Sequence, residues 1–600
     1  MRTRRWLPAS VALLMLVAAT LARAQQVLEQ VPADALVVIK FKNLKATSDK
    51  FAKFFTDLGV AQFDPRFGDP LGAFEQHSKI TAGLDKGGDA AIAFMDPEKY
   101  GGGDDSMIAL LPVTDYQAFL GSFPDAKTEG DVSEVKIGDS SHPGYVANWG
   151  KFAALSPKKE LVSGKPSAML KLTAATSKEA DAKDVIVYAN FPVIRAKLLP
   201  KLQQAREKAL SEVESAVKQN AEMAQFSTVA RAVVSRFLDV AEGFLSDTDA
   251  ATFGLNLTGD GLAFTSMADF RADSYAGQTV AAMQKINTPD LMLNGLPQAK
   301  YLMYGGGKND PAVTNKMIDD FTKPILAELD KVGDEKSKAI ATYITCLKKQ
   351  VSAASGQTFG MVAPTGNLGQ EPIFQLLNVM TGDVKTLRST YTDMMKTQEE
   401  LMKAFGGQAV ADVAKTNVTP NAKTIDGVSF DQIQTKFNME AAGPEGKQAE
   451  MMMTYMYGPG GVNVLVGDVS DKLIVALGVP DTVLSGAITA IKSNAAPLAD
   501  DARLKAVAAG LPKTHTGVFF VAVDEIVSTG ITYAKQFGMP VPVQLPPDLP
   551  PIGISLGTEG SVIRADAYIP NSLVQSLVAA GMQAAMQMQG GGGPGKGGGL

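Results

Sequence analysis

Chemistry needs a nucleophile, an acid, a base or a metal ligand with its partners, so the scarce reactive residues are read first. The chain has three histidines, His77, His142 and His515, and none stands at a metal-ligating spacing such as i, i+4 from a second ligand type. His142 falls in the turn-like stretch Ser141-His142-Pro143-Gly144, and His515 in Thr514-His515-Thr516 just ahead of an apolar run. Each reads as a solvated or hydrogen-bonded turn residue, because a catalytic base needs partners this pattern does not supply. One G-x-S-x-G match exists, Gly553-Ile554-Ser555-Leu556-Gly557. A nucleophile elbow needs a sharp strand-to-helix turn, whereas apolar alternation continues on both sides of Ser555 and places it mid-strand.

The other candidates also read as structural. Cys346 is the one cysteine, which excludes an intramolecular disulfide, and its helical surroundings mark it as a small buried apolar residue. Met451-Met452-Met453 with Met456 could offer thioethers to Cu(I), but no His or Cys lies nearby to complete a site. These methionines, like Met582 and Met586, read as adaptable packing. Asp104-Asp105 lacks the alternating oxygen donors of a calcium loop. No glycine-rich loop ends in Gly-Lys-Ser/Thr. What remains is Asp115, Ser156 and His142 near expected strand ends, a set that a hydrolase with a dispersed site could use. No catalytic residue, metal ligand or cofactor is therefore assigned, and the ligand-binding residues are unknown from sequence.

The elements that would position any site are plainer. Pro551–Pro570 alternates apolar and polar residues on both sides of a Gly557–Gly560 break, which is a hairpin at period two. Thr252–Phe270 has the same design, and Thr358-Phe359-Gly360-Met361 repeats Thr252-Phe253-Gly254-Leu255 almost letter for letter. Around them a unit of strand, helix, hairpin and helix recurs. It opens at Ala35–Phe41, Val185–Ala189, Lys300–Tyr304 and Val518–Val523. The second and third copies carry long helix pairs, Val193–Gln219 with Met223–Leu245 and Met317–Leu329 with Lys336–Val351. Short meanders follow the first and third copies, at 132–155 and 424–477. The order predicts an α+β protein of tandem duplicated halves, each with a mainly antiparallel sheet and long helix pairs, over 27–290 and 291–588. Residues 589–600 are mostly glycine and are expected to be disordered.

With 600 residues, 45% apolar and 20% charged, the chain has enough material for more than one core. Arg2, Arg4 and Arg5, the apolar run from Leu7 to Ala19 and the small-x-small Ala22-Arg23-Ala24 compose a signal peptide over 1–24. Cleavage near Ala24 and periplasmic or extracellular delivery are expected. Thr3-Arg4-Arg5 resembles a twin-arginine signal, but the ordinary secretory route suits so short a basic start. Removing the four arginines of 1–24 moves the formal charge from −6 to −10. An acidic exported chain does not suit nucleic acid or anionic lipid. No integral membrane segment is expected in the mature chain.

Three stretches carry a resemblance. Val31-Pro32-Ala33-Asp34 opens ahead of a strand, Leu110-Leu111-Pro112-Val113-Thr114-Asp115 makes a Leu-Pro-Val-x-Asp step, and Gly150–Ser156 is a glycine followed by an apolar strand ending in serine. Over about residues 27–180 the chain resembles a family of uncharacterised secreted bacterial proteins, a domain of unknown function. That family has no assigned active site, so the resemblance implies no functional residues. The whole reading favours an exported, non-enzymatic binding or scaffold protein of the cell envelope, serving an apolar small molecule or an envelope protein partner. The alternative is the divergent hydrolase built on Asp115, Ser156 and His142.

Overall fold

The structure is a computed structural model that describes residues 27–138, 143–220, 223–366, 369–437, 443–539, 541 and 543–590. The signal peptide expected over 1–24, His142 and the glycine-rich residues beyond Gly590 lie outside the described residues. The chain is mixed helix and strand, and its sheet pairings are antiparallel. Two compact units divide it. One takes the residues up to Lys201 with 243–278 and 561–565, and the other takes 202–242, 279–560 and those from Asp566 on.

Among the described residues, the part of the first unit before Gln278 carries ten strands. They are β1 (Val37–Phe41), β2 (Ala90–Phe94), β3 (Met107–Pro112), β4 (Lys127–Glu129), β5 (Val132–Val135), β6 (Gly144–Asn148), β7 (Phe152–Ser156), β8 (Val185–Asn190), β9 (Thr248–Leu257) and β10 (Gly261–Phe270). Pairings order them β4-β5-β6-β7-β3-β2-β1-β8-β9-β10. Side chains alternate across a strand, so this sheet has two buried faces. Val38, Ala91, Ala93, Ile108, Leu110 and Ala154 pack on one side with Val27, Val31 and Leu161. Ala90, Leu111, Val146, Ala153 and Leu155 face the other with Phe119 and Phe123. That second face lies under helices α1 (Leu44–Asp57) and α2 (Pro70–Ser78).

The second unit carries β11 (Tyr301–Lys308), β12 (Ala354–Val362), β13 (Leu376–Gly382), β14 (Ala414–Ile425), β15 (Val428–Phe437), β16 (Val462–Val469), β17 (Lys472–Leu477), β18 (Gly517–Val521) and β19 (Ile552–Glu559). β19 turns at Gly560 into β20 (Val562–Pro570). Their order is β14-β15-β16-β17-β13-β12-β11-β18-β19-β20.

The long helix pairs are α3 (Phe191–Gln219) with α4 (Ser227–Asp247), and α5 (Pro311–Val332) with α6 (Glu335–Ala353). Pro200 sits inside α3, which continues through it. In the second unit Arg206 of α3 grips Asp239 at 2.6 Å and Glu242 at 3.0 Å on α4. Phe226 and Val229 pack there with Ile325 and Leu329 of α5. A further helix, α7 (Val384–Val413), covers β13, β15, β16 and β17 through Leu387, Tyr391 and Met395. It runs past Phe405, where the sequence pattern ends it.

Both hairpins expected at 252–270 and 551–570 are strands. β13 and the helix α2 were not expected. The stretch Leu376–Gly382 does not alternate, since Leu377, Val379 and Met380 are all buried. α2 hides in a Pro/Gly-rich connection, yet Asp69 caps it by accepting from Gly72 N at 2.9 Å, with Pro70 in the first turn.

Candidate ligand cavity

Alternation in β1, β2 and β3 sends Phe41, Ala90, Ile92, Met107, Ala109 and Leu111 toward α1 and α2. Two of these are alanines, so the floor is shallow where the helices cross it. The helices are held off by their own contacts. Asn43, in the left-handed region at φ 40°, caps α1 by accepting from Ala46 N at 3.0 Å. Phe55 of α1 packs against the tilted ring of Phe67 at 4.8 Å between ring centres, bracing the turn that leads to α2. Leu71 N donates to Ser48 Oγ at 2.9 Å and ties the two helices together. The result is a cavity of about 750 Å³ lined by Leu44, Phe51, Leu71 and Phe74 above and by the strands below.

Its lining is mostly carbon, and each polar side chain there already has a partner within the chain. Thr47 donates to Lys42 O and Ser78 to Phe74 O at 2.7 Å. Ser48 accepts from Leu71, and Ser156 Oγ accepts from Lys158 N at 3.1 Å. Asp105, the single acidic group of the lining, pairs with Lys158 at 3.1 Å. Such a surface can hold an apolar molecule by excluding water. Phe74 lines the cavity while 41% exposed, and Phe63 and Phe67 nearby in sequence are also exposed.

The residues singled out by sequence fall as follows. Ser156 lies on the cavity lining. Asp115 caps the short helix Tyr116–Leu120, accepting from Gln117 N at 2.8 Å and Ala118 N at 3.1 Å. His142 falls outside the described residues. His77 is exposed on α2, while His515 is 3% exposed and bonds through Nε2 to Asp290 O at 2.9 Å. Ser555 is buried in the middle of β19, opposite Val518. Cys346 is buried in α6 with its sulfur 3.8 Å from Thr397 Oγ1. Met451 and Met452 are over half exposed on the helix Gly443–Tyr457, and Met586 is exposed on the last helix. Among the described residues no group of three His, Cys, Asp or Glu is placed to hold a metal ion. Among them, too, no helix is long and apolar enough to cross a membrane.

No family model matches the chain, and no curated protein matches it, consistent with an uncharacterised family. One solved structure, titled "Structure of crystal form I of TP0453", aligns at a TM-score of 0.21 and 9% identity, covering 41% of this chain and 78% of that one. A likeness that slight supports no inference about fold or ligand.

Proposed function

We propose that this protein is an exported, non-enzymatic carrier that holds an apolar small molecule between α1, α2 and the sheet of the first unit. The observation that carries the reading is the 750 Å³ cavity whose polar lining groups are all internally satisfied. A ligand there gains from leaving water and meets no free nucleophile or base among the described lining residues.

The reading includes a tandem duplication of 27–290 and 291–588. Two facts support it. Each strand number in the first order rises by ten to give the second order. The central registers also correspond. Lys40 faces Ile186 and Tyr304 faces Phe520 across β1–β8 and β11–β18. Opposite each of those four bulky residues, the next strand offers Ala91, Gly254, Gly360 or Gly553.

The test is the purified mature chain, extracted with organic solvent and analysed by mass spectrometry, beside an Ala109→Trp variant that fills the cavity floor. The wild type is expected to release a stoichiometric apolar compound, or to take up a fluorescent fatty acid. Ala109→Trp should lose this while keeping its circular dichroism. A wild type that neither carries nor binds an apolar compound would falsify the carrier reading.

A further inference from the structure

The second unit has a double cavity of its own, under α7. Its outer part, about 400 Å³, is lined by Lys308, Gln350, Gln357, Asn378 and Tyr391 among others. Its inner part, about 180 Å³, is walled by Met395, Ile433, Val464 and Val475. Asn378 and Tyr391 line both parts, which adjoin at these two residues. Tyr391 and Met395 are four residues apart on α7 and share a face. Asn378 sits in mid-strand, opposite Phe359 on one side and Val475 on the other.

The polar groups here differ in state from those of the first cavity. Asn378 Oδ1 is withdrawn from solvent and accepts no hydrogen bond. A buried acceptor without a donor is costly and is normally matched by protein, water or ligand. The Tyr391 hydroxyl reaches Met380 Sδ at 3.6 Å, and a thioether is a weak acceptor. Burial pushes the Tyr391 phenol up, against a smaller opposing effect of Gln350, so it stays an O–H donor at neutral pH. Lys308 at the outer wall is exposed and makes no ion pair among the described residues. The sequence of features across the two parts is thus a cation, a junction with one open acceptor, and an apolar end.

We infer that the second unit binds a single-chain amphiphile, with an anionic head at Lys308, a hydroxyl donating to Asn378 Oδ1 and an apolar tail against Ile433 and Val475. A hydroxylated fatty acid has this chemistry. The site is separate from the cavity under α1 and α2 and does not depend on its being occupied.

Isothermal titration of the full mature chain with 3-hydroxytetradecanoate and with tetradecanoate tests this, in the wild type and in Ala109→Trp. The hydroxy acid is expected to bind Ala109→Trp at one equivalent, about tenfold tighter than the plain acid, the worth of one buried hydrogen bond. Asn378→Leu should erase that preference, and Lys308→Gln should weaken both acids alike. Saturable binding absent from Ala109→Trp, or equal affinity for the two acids with Asn378 intact, overturns the proposal. Wild-type stoichiometry separates the two sites. One equivalent abolished by Ala109→Trp leaves only the first cavity, and one equivalent unmoved by it leaves only the second. If Ala109→Trp fails to fold, Asn378→Leu in the otherwise wild-type chain decides, because loss of the hydroxy-acid preference needs no second variant and its persistence refutes the site.

Discussion

Lys40 lies in the middle of β1 with 1% of its surface exposed. Its ammonium donates to Ala180 O at 2.7 Å and sits 2.9 Å from Asp89 Oδ2 as an ionic contact. In the corresponding register of the second unit stands Tyr304, stacked on Phe520 at 5.5 Å. Removing one partner of a buried pair strands the other, at a cost of about 3–5 kcal/mol. Lys40→Ala is therefore expected to lower the unfolding free energy by that amount, read as a lower urea midpoint with the slope of the transition unchanged.

A nearby carboxyl behaves differently. Burial pushes Asp181 above the usual carboxylate range, and Asp89 adds to this, while Lys40 and Lys42 oppose it. Its Oδ1 accepts no hydrogen bond. A raised acid binds its proton more tightly in the folded state, so stability falls as pH climbs from about 3.9, the unfolded value, through the higher folded one. Asp181→Asn should then melt higher than wild type at pH 7.5, with the advantage shrinking on acidification toward pH 4. A constant difference across that range would show that the charge is not the cause.

Among the elements, the repeated Thr-Phe-Gly strands give a matched pair of substitutions. A Cβ on Gly254 would meet the Lys183 side chain at 2.7 Å, a flexible stem that can move. A Cβ on Gly360 would meet Cε1 of the Tyr301 ring at 2.4 Å. That ring is buried and its hydroxyl is bonded to Pro297 O at 3.0 Å, so it cannot swing away. Overpacking a core costs about 1–3 kcal/mol. Gly360→Ala is expected at the upper end of that range and Gly254→Ala well below it, by chemical denaturation of each. Equal losses would mean that backbone entropy rather than contact sets the effect.

The same elements show what sequence could and could not reveal. Period-two runs with glycine breaks announced β9, β10, β19 and β20, because one face of each is polar enough to alternate. β13 was silent, since burial on both faces removes the alternation. β14 was also read short, because Thr, Asn, Lys and Pro over 415–423 resemble a loop. The helix α2 was masked by Gly72, although Asp69-Pro70 was a usable start signal. The cavity had no sequence trace at all. Its lining comes from two helices and several strands spread over residues 41–157, with no common spacing. Of the residues weighed for chemistry, Ser156 and Asp105 lie on that lining, but the serine hydroxyl serves the backbone and the aspartate pairs with Lys158.

At the scale of the whole molecule, the units do not respect the midpoint of the chain. Residues 202–242 belong with the second unit, where Phe226 and Val229 share a core with Ile325 and Leu329. A fragment ending at 290 therefore leaves those side chains exposed. Fragments 27–290 and 291–590 are expected to aggregate when made alone and to stay soluble when co-expressed, as size-exclusion chromatography would show. Two monomeric, well-folded fragments would mean that the shared helical core contributes little.

Residues 561–565 complete the first unit, and Phe270 N donates to Ser561 O at 3.2 Å. A ribosome making this chain delivers that segment nearly three hundred residues after Phe270. Until then the opening unit is one short strand from finished. Translation order thus acts as a timer, and a stop codon after Gly560 would leave a nascent product open to protease at β10 while full-length protein resists.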